Sequence, residues 1–190
     1  KIVADFLVVR APEALGGRFH LDVPKALAPD LVRKLAFYRL RAKVLVEDQS
    51  DQVGVTAFWG GETAPVVGGM LYRDPRHAGL GWRMIAPLPL ELVSDSGAFQ
   101  AHRIGLGIPE GGRDFSYGDA FPHETDMDQF AGVDFAKGCY VGQEVVSRME
   151  HRGTARTRIV PVAYADHAPM EGGDVMAGGK LVGTMGSSAE

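Results

Sequence analysis

The apolar residues of this chain come in short runs, each closed by glycine or proline turns, and no run approaches the roughly 18 residues that a membrane-crossing helix requires. Such parcelling favours short strands and helices packed together. Residues Phe6 to Arg10 and Arg18 to Val23, on either side of a turn at Gly16-Gly17, predict a β-hairpin with a longer loop. Pro29 and Asp30 suit a first helical turn, and Leu31, Val32, Leu35 and Tyr38 recur at helical spacing, which predicts an amphipathic helix ending near Leu40. Lys43 to Glu47, Val53 to Trp59 and part of Gly81 to Pro87 read as strands, the last after a Gly/Pro/Asp-rich connection. Ser94 and Ser96 are placed to cap a helix that carries Phe99, Arg103 and Ile104 and stops at Gly105 or Gly107. Residues 111 to 135 read as loop. Beyond Gly153, Ile159 to Tyr164 and Lys180 to Met185 are strand-like pieces between glycine turns, the opening of a second, all-β module cut off at Glu190. The class is α+β followed by β.

A net charge of −4 argues against direct nucleic-acid binding, which depends on clustered Lys and Arg. The charge is uneven, however. Residues 110 to 136 hold seven acidic groups and one basic, whereas 137 to 158 hold five basic and two acidic. Either the two stretches form differently solvated faces, or the second is a positive mouth for an anionic ligand. With one cysteine, no intramolecular disulfide is available, and the chain reads as a protein of the cytosol or an organelle matrix, without a membrane partner. No signal-peptide pattern opens the sequence. It starts at Lys1 inside an apolar run, an expectation that something upstream is missing.

The chemistry concentrates at Lys137-Gly138-Cys139-Tyr140-Val141-Gly142-Gln143-Glu144. The residues that follow predict a short helix with Val145, Val146 and Met149 on one side, Glu144, Ser147, Arg148 and His151 on the other, and Gly153 as its end. Glu144 and Arg148 form an i,i+4 pair in the favourable order. Cys139 thus lies just ahead of a helix N-terminus, two residues from Lys137, and both favour thiolate over thiol, predicting an accessible thiol reactive at neutral pH. Gly138 and Gly142 permit positive φ and close approach of a ligand. The alternative at this point is a small, buried, inert cysteine.

That octapeptide followed by Arg148 resembles the signature of the YgfZ family. Arg103-Ile104-Gly105-Leu106-Gly107-Ile108-Pro109-Glu110-Gly111-Gly112, Phe121-Pro122-His123-Glu124 and Gly132-Val133-Asp134-Phe135 agree with it in order along the chain. The resemblance implies a GcvT-like domain over residues 1–155, incomplete at its N-terminus, that binds tetrahydrofolate or a one-carbon derivative, then the first strands of a C-terminal β-barrel over 156–190. It implies an accessory role in iron–sulfur cluster assembly or repair and in cluster-dependent tRNA modification. Folate and iron–sulfur client enzymes or assembly proteins would be its partners. Its place would be the bacterial cytoplasm, or the mitochondrial matrix in a eukaryote. Lys137, Gly138, Cys139, Tyr140, Gly142, Gln143, Glu144 and Arg148 carry over as signature residues, with Cys139 the acting group and Lys137, Tyr140, Gln143, Glu144 and Arg148 near the cofactor.

Two further residues are candidates for the folate. Glu124 can accept a paired N–H edge of a pterin, or be an exposed loop carboxylate; Arg103 can pair with a folate carboxylate, or make a structural salt bridge. His123 and His151 lack metal-ligand spacing, and one cysteine cannot hold a cluster alone, so no preformed metal site is expected. Gly105-x-Gly107 with Gly111 misses the dinucleotide fingerprint by one residue. The competing activity is a tetrahydrofolate-dependent aminomethyl transfer like that of the glycine-cleavage T protein, whose relatives lack this cysteine motif. A plain binding module with an inert Cys139 is the third reading.

Overall fold

The computed structural model describes residues 1–13, 16–66, 68–90, 95–153 and 155–189. The chain forms two compact units, one of Ala4–Val93 and one of Lys1–Val3 with Ser94–Glu190.

In the first unit, β1 (Leu7–Arg10) and β2 (Phe19–Asp22) form the expected hairpin, with Leu7 opposite Asp22 and Arg10 opposite Phe19. Helix α1 (Ala28–Tyr38) follows, with proline in its first turn and Asp30 beside it, where the orphan N–H groups favour a carboxylate. Strands β3 (Val53–Phe58), β4 (Met70–Arg73) and β5 (Trp82–Pro87) make an antiparallel sheet in the order β3-β5-β4. The central strand carries the core. Met84, Ile85 and Ala86 of β5 are buried together with Leu80 in the turn before it, as are Val9, Ala28 and Leu31. Strand β4 falls in the connection expected to be irregular. Its Met70-Leu71-Tyr72 run pairs from Ile85 to Arg83, so the register is set by the next strand of the chain.

The expected strand Lys43 to Glu47 does not form. The segment is extended, but no ladder reaches it among the described residues, and Val44 and Leu45 are exposed. A strand exists only where a neighbour accepts its hydrogen bonds, and apolar composition alone does not supply one.

The second unit contains α2 (Ser96–Gly105), a 3-10 turn at Pro122–Thr125, α3 (Gln143–Arg152), and the hairpin of β6 (Asp174–Ala177) and β7 (Lys180–Thr184). Asp95 caps α2, its Oδ1 accepting from the Ala98 N–H at 2.9 Å. Ser96 is therefore inside the helix rather than at its cap, and Ser94 lies outside the described residues. Helix α3 ends at Gly153, which takes the left-handed conformation at φ 57° as its position predicts. Val146 is buried, but Val145 is exposed, so the apolar face is narrower than the sequence suggests. The loop expected over 111 to 135 is mostly turns, with the 3-10 turn embedded in it. Of the two late strands expected, Lys180 to Met185 corresponds to β7, whereas Ile159 to Tyr164 is extended without a ladder partner. No described helix is long and apolar enough to cross a membrane.

Candidate functional site

The Cys139 segment enters α3 through two left-handed glycines, Gly138 at φ 86° and Gly142 at φ 89°. A side chain at either position would be strained, and the glycines let the chain turn tightly into the helix. The Gln143 N–H donates to the Tyr140 carbonyl at 3.1 Å, and the Val146 N–H to the Gly142 carbonyl at 3.3 Å. Cys139 stands between the glycines, free and exposed. The buried alternative is thereby removed. The Lys137 ammonium lies over the Tyr140 ring, 4.3 Å from its centroid, a cation–π contact. The Tyr140 hydroxyl is buried and has no hydrogen-bond partner among the described residues. On the exposed face of α3, Arg148 donates to Glu144 at 2.5 Å.

Five of the expected cofactor residues, Lys137, Tyr140, Gln143, Glu144 and Arg148, therefore share one segment with Cys139. Arg103 and Glu124 are engaged elsewhere. Arg103 is 3% exposed, and its donors reach Gln100 (2.6 Å), the Ile108 carbonyl (2.9 Å), Asp114 (2.7 Å) and Ser187 (2.8 Å). It is a structural hub that ties α2 to the end of the unit. Glu124 turns back on its own backbone, its Oε2 accepting from the Phe121 N–H at 2.8 Å and its Oε1 facing the Thr157 hydroxyl at 3.4 Å.

Beneath α3 lies a polar cluster that sequence spacing did not bring forward. His123, 1% exposed, places Nε2 3.0 Å from Glu150 Oε2 of the helix's last turn. Arg158 forks onto Asp128 at 3.0 and 2.8 Å and also reaches Asp126 at 2.7 Å. Burial, opposed by Arg158 but assisted by the like charge of Asp128, holds the Asp126 carboxyl above the usual carboxylate range. For Asp128 the hydrogen bonds and charge of Arg158 outweigh burial, and its carboxyl lies below that range. The 27 positions that separate His123 from Glu150 follow no local periodicity, which is why the pattern of residues alone could not pair them.

In the first unit, the apolar face of α1 and the segment after it line a groove of about 1120 Å³, with Leu31, Val32, Leu35, Tyr38, Leu45 and Val55 among its walls. None of the seven expected folate residues belongs to it.

Residues 156–190 match the CAF17 C-terminal β-barrel domain. The chain is 34% identical over 175 residues to the mitochondrial iron–sulfur cluster assembly factor IBA57 homolog of Mycosarcoma maydis, covering 86% of this chain and 43% of that protein. It is 34% identical over 172 residues to mitochondrial IBA57 of Homo sapiens, covering 81% and 48% respectively, and 36% identical over 186 residues to that of Mus musculus, covering 88% and 52%. Over most of its own length the chain is thus similar to mitochondrial IBA57 proteins, where its motif resembled the YgfZ signature. The chain spans about half the length of these IBA57 relatives.

Proposed function

We propose that the protein assists iron–sulfur cluster assembly, with Cys139 as the thiolate it offers to a cluster, a sulfur carrier or a client. The observation that carries this reading is the exposed, unpaired thiol held between two left-handed glycines just ahead of α3. A cysteine ligates iron as thiolate, so binding releases its proton to solvent, and the open glycine backbone on either side lets a partner surface approach the sulfur. One thiolate is at most one of the four ligands that a cluster needs. The remaining ligands come from a partner protein or small thiols, which makes the protein an accessory of assembly and not a stable cluster carrier. The similarity to IBA57 proteins supports this role. It also supports a mitochondrial matrix location for a eukaryotic source, with the cytoplasm as the bacterial counterpart.

The finer reading adds tetrahydrofolate, bound by a GcvT-like domain over 1–155 that precedes the start of a barrel, with cluster-dependent tRNA modification among the client reactions. Lys137, Tyr140, Gln143, Glu144 and Arg148 are the side chains available to it. Arg103 has its donors engaged within the fold, whereas Glu124 keeps lone pairs free beside its bond to the Phe121 N–H and remains a candidate.

The test is a Cys139→Ala variant of the full-length protein. Client iron–sulfur enzyme activity is expected to fall while the melting temperature stays put, and wild-type client activity would count against the thiol. Calorimetry with tetrahydrofolate examines the finer reading separately, and an absence of heat there removes folate without touching the thiol.

A further inference from the structure

The geometry points to a site for one divalent first-row metal ion at His123, Asp128 and Glu150, a site of nitrogen and oxygen donors separate from the Cys139 thiol. One ligand atom from each residue lies within 4.8 Å of the other two. Two ligands at right angles, each ~2.1 Å from an ion, are ~3.0 Å apart, and His123 Nε2 and Glu150 Oε2 already stand at 3.0 Å. Opposite ligands of such an ion are at most ~4.2 Å apart, so Asp128 closes the site by a side-chain adjustment of under ~1 Å.

Charge favours the same ion. Asp126, Asp128 and Glu150 are three carboxylates, and among the described residues Arg158 is the arginine that forks onto this cluster, so carboxylates outnumber guanidinium groups there. Glu150 is in the last turn of α3, where the unsatisfied carbonyls add partial negative charge. His151 and Arg152 share that turn and act in the other direction. Arg158 occupies one lone pair on each Asp128 oxygen and leaves others free, so it holds the carboxylate in place as an outer-shell partner.

The placement of His123 bears on the same site. Its ring is 1% exposed, and its Nδ1 is buried with no hydrogen-bond partner among the described residues. Without an ion, a proton on Nε2 serves Glu150 and leaves a bare lone pair on Nδ1. A proton on Nδ1 instead sets the Nε2 lone pair against the carboxylate, 3.0 Å away. An ion between Nε2 and Oε2 turns that second arrangement from repulsive to bonding at Nε2, and leaves the Nδ1 N–H without an acceptor among the described residues. Imidazole with two carboxylates suits zinc, ferrous or manganous ion, and the 43% exposure of the Glu150 side chain leaves an entry path.

The experiment is titration of the chain with Co(II), read by visible absorption, and with Zn(II), read by calorimetry, on wild type and on Glu150→Gln, Asp128→Asn and Cys139→Ala. The expected result is one ion per chain, bound at least about tenfold more weakly after Glu150→Gln or Asp128→Asn and unchanged after Cys139→Ala. No saturable binding by the wild type, unchanged affinity in Glu150→Gln, or loss of binding in Cys139→Ala alone overturns the proposal. Should Asp128→Asn fail to fold, Glu150→Gln decides, because that half-exposed side chain can change without disturbing the core.

Discussion

The two units are built on different interiors. In the first, described buried residues are apolar, from Leu80 and β5 to Val9 and Leu31, except for Asp74, which Arg76 and Arg83 neutralise. In the second, Ile2, Ile108 and Val146 share the interior with Arg103, His123, Thr125 and Asp126. An apolar interior is tolerant of the chain around it, since dispersion and burial have no direction. A polar one demands that each donor meet its acceptor, and one missing partner strands the other in a medium that solvates it poorly. The unit with the demanding interior is also the one that carries the exposed thiol and the His123 cluster. Its fold fixes charged groups at set distances, and such fixing is what chemistry with metals and sulfur requires.

The sharpest way to break this contrast is Arg103→Met, which keeps the bulk but removes the cation beneath Asp114. Stranding that carboxylate should cost about 3–5 kcal/mol, read as lost amide protection over residues 95–189 in hydrogen exchange. If protection there is unchanged, the polar interior is not what holds the unit. The counterpart in the first unit is Leu80→Ala, which deletes a side chain at 1% exposure and should cost about 3 kcal/mol. Both tryptophans, Trp59 and Trp82, are in that unit, so their emission during urea unfolding reports it directly.

Acid should act on both units. Burial pushes the Asp114 carboxyl up, but the hydroxyl and N–H of Ser187, the Glu110 N–H and the charge of Arg103 prevail and hold it below the usual range. At Asp74, burial is likewise outweighed by Arg76 and Arg83. A carboxyl depressed in the folded state contributes stability that is complete above its unfolded value near ~4 and is lost as pH falls through the folded value. Thermal melts should therefore hold level down to about pH 5 and decline below pH 4, with the slope reduced in Asp114→Asn. The smallest effects belong to the exposed segment. Arg148→Ala breaks a solvent-facing pair and should shift stability by less than ~0.5 kcal/mol, and Cys139→Ser by a similar amount. A large loss in either would mean that this segment is structural after all.

Much of this arrangement could be read from the residues. The β1–β2 hairpin, α1, the C-terminal end of α2 and the extent of α3 followed from turn residues and helical spacing, because those signals act within a few positions of the chain. The residues left Cys139 either accessible or buried, and the structure exposes it. What escaped depends on which partner each group finds. Strand β4 needed β5 as its template, the segments 43 to 47 and 159 to 164 found none, and Asp95 displaced the serines as a cap by direct hydrogen bonding to the Ala98 N–H. Arg103 and Glu124 illustrate the same limit. Their charge made them plausible ligands, and only the folded chain reveals that Asp114 and Ser187 engage Arg103 and that Glu124 bonds the Phe121 N–H.

A single sulfhydryl on the surface also gives the experimenter a handle. In a sequence with one cysteine, a maleimide dye or a nitroxide attaches at one place without prior mutagenesis. The tag then sits four residues before Gln143, where helix α3 begins. Docking of any assembly partner against that end would quench or broaden its signal, so the residue expected to do the chemistry can first serve as the reporter that finds who comes to it.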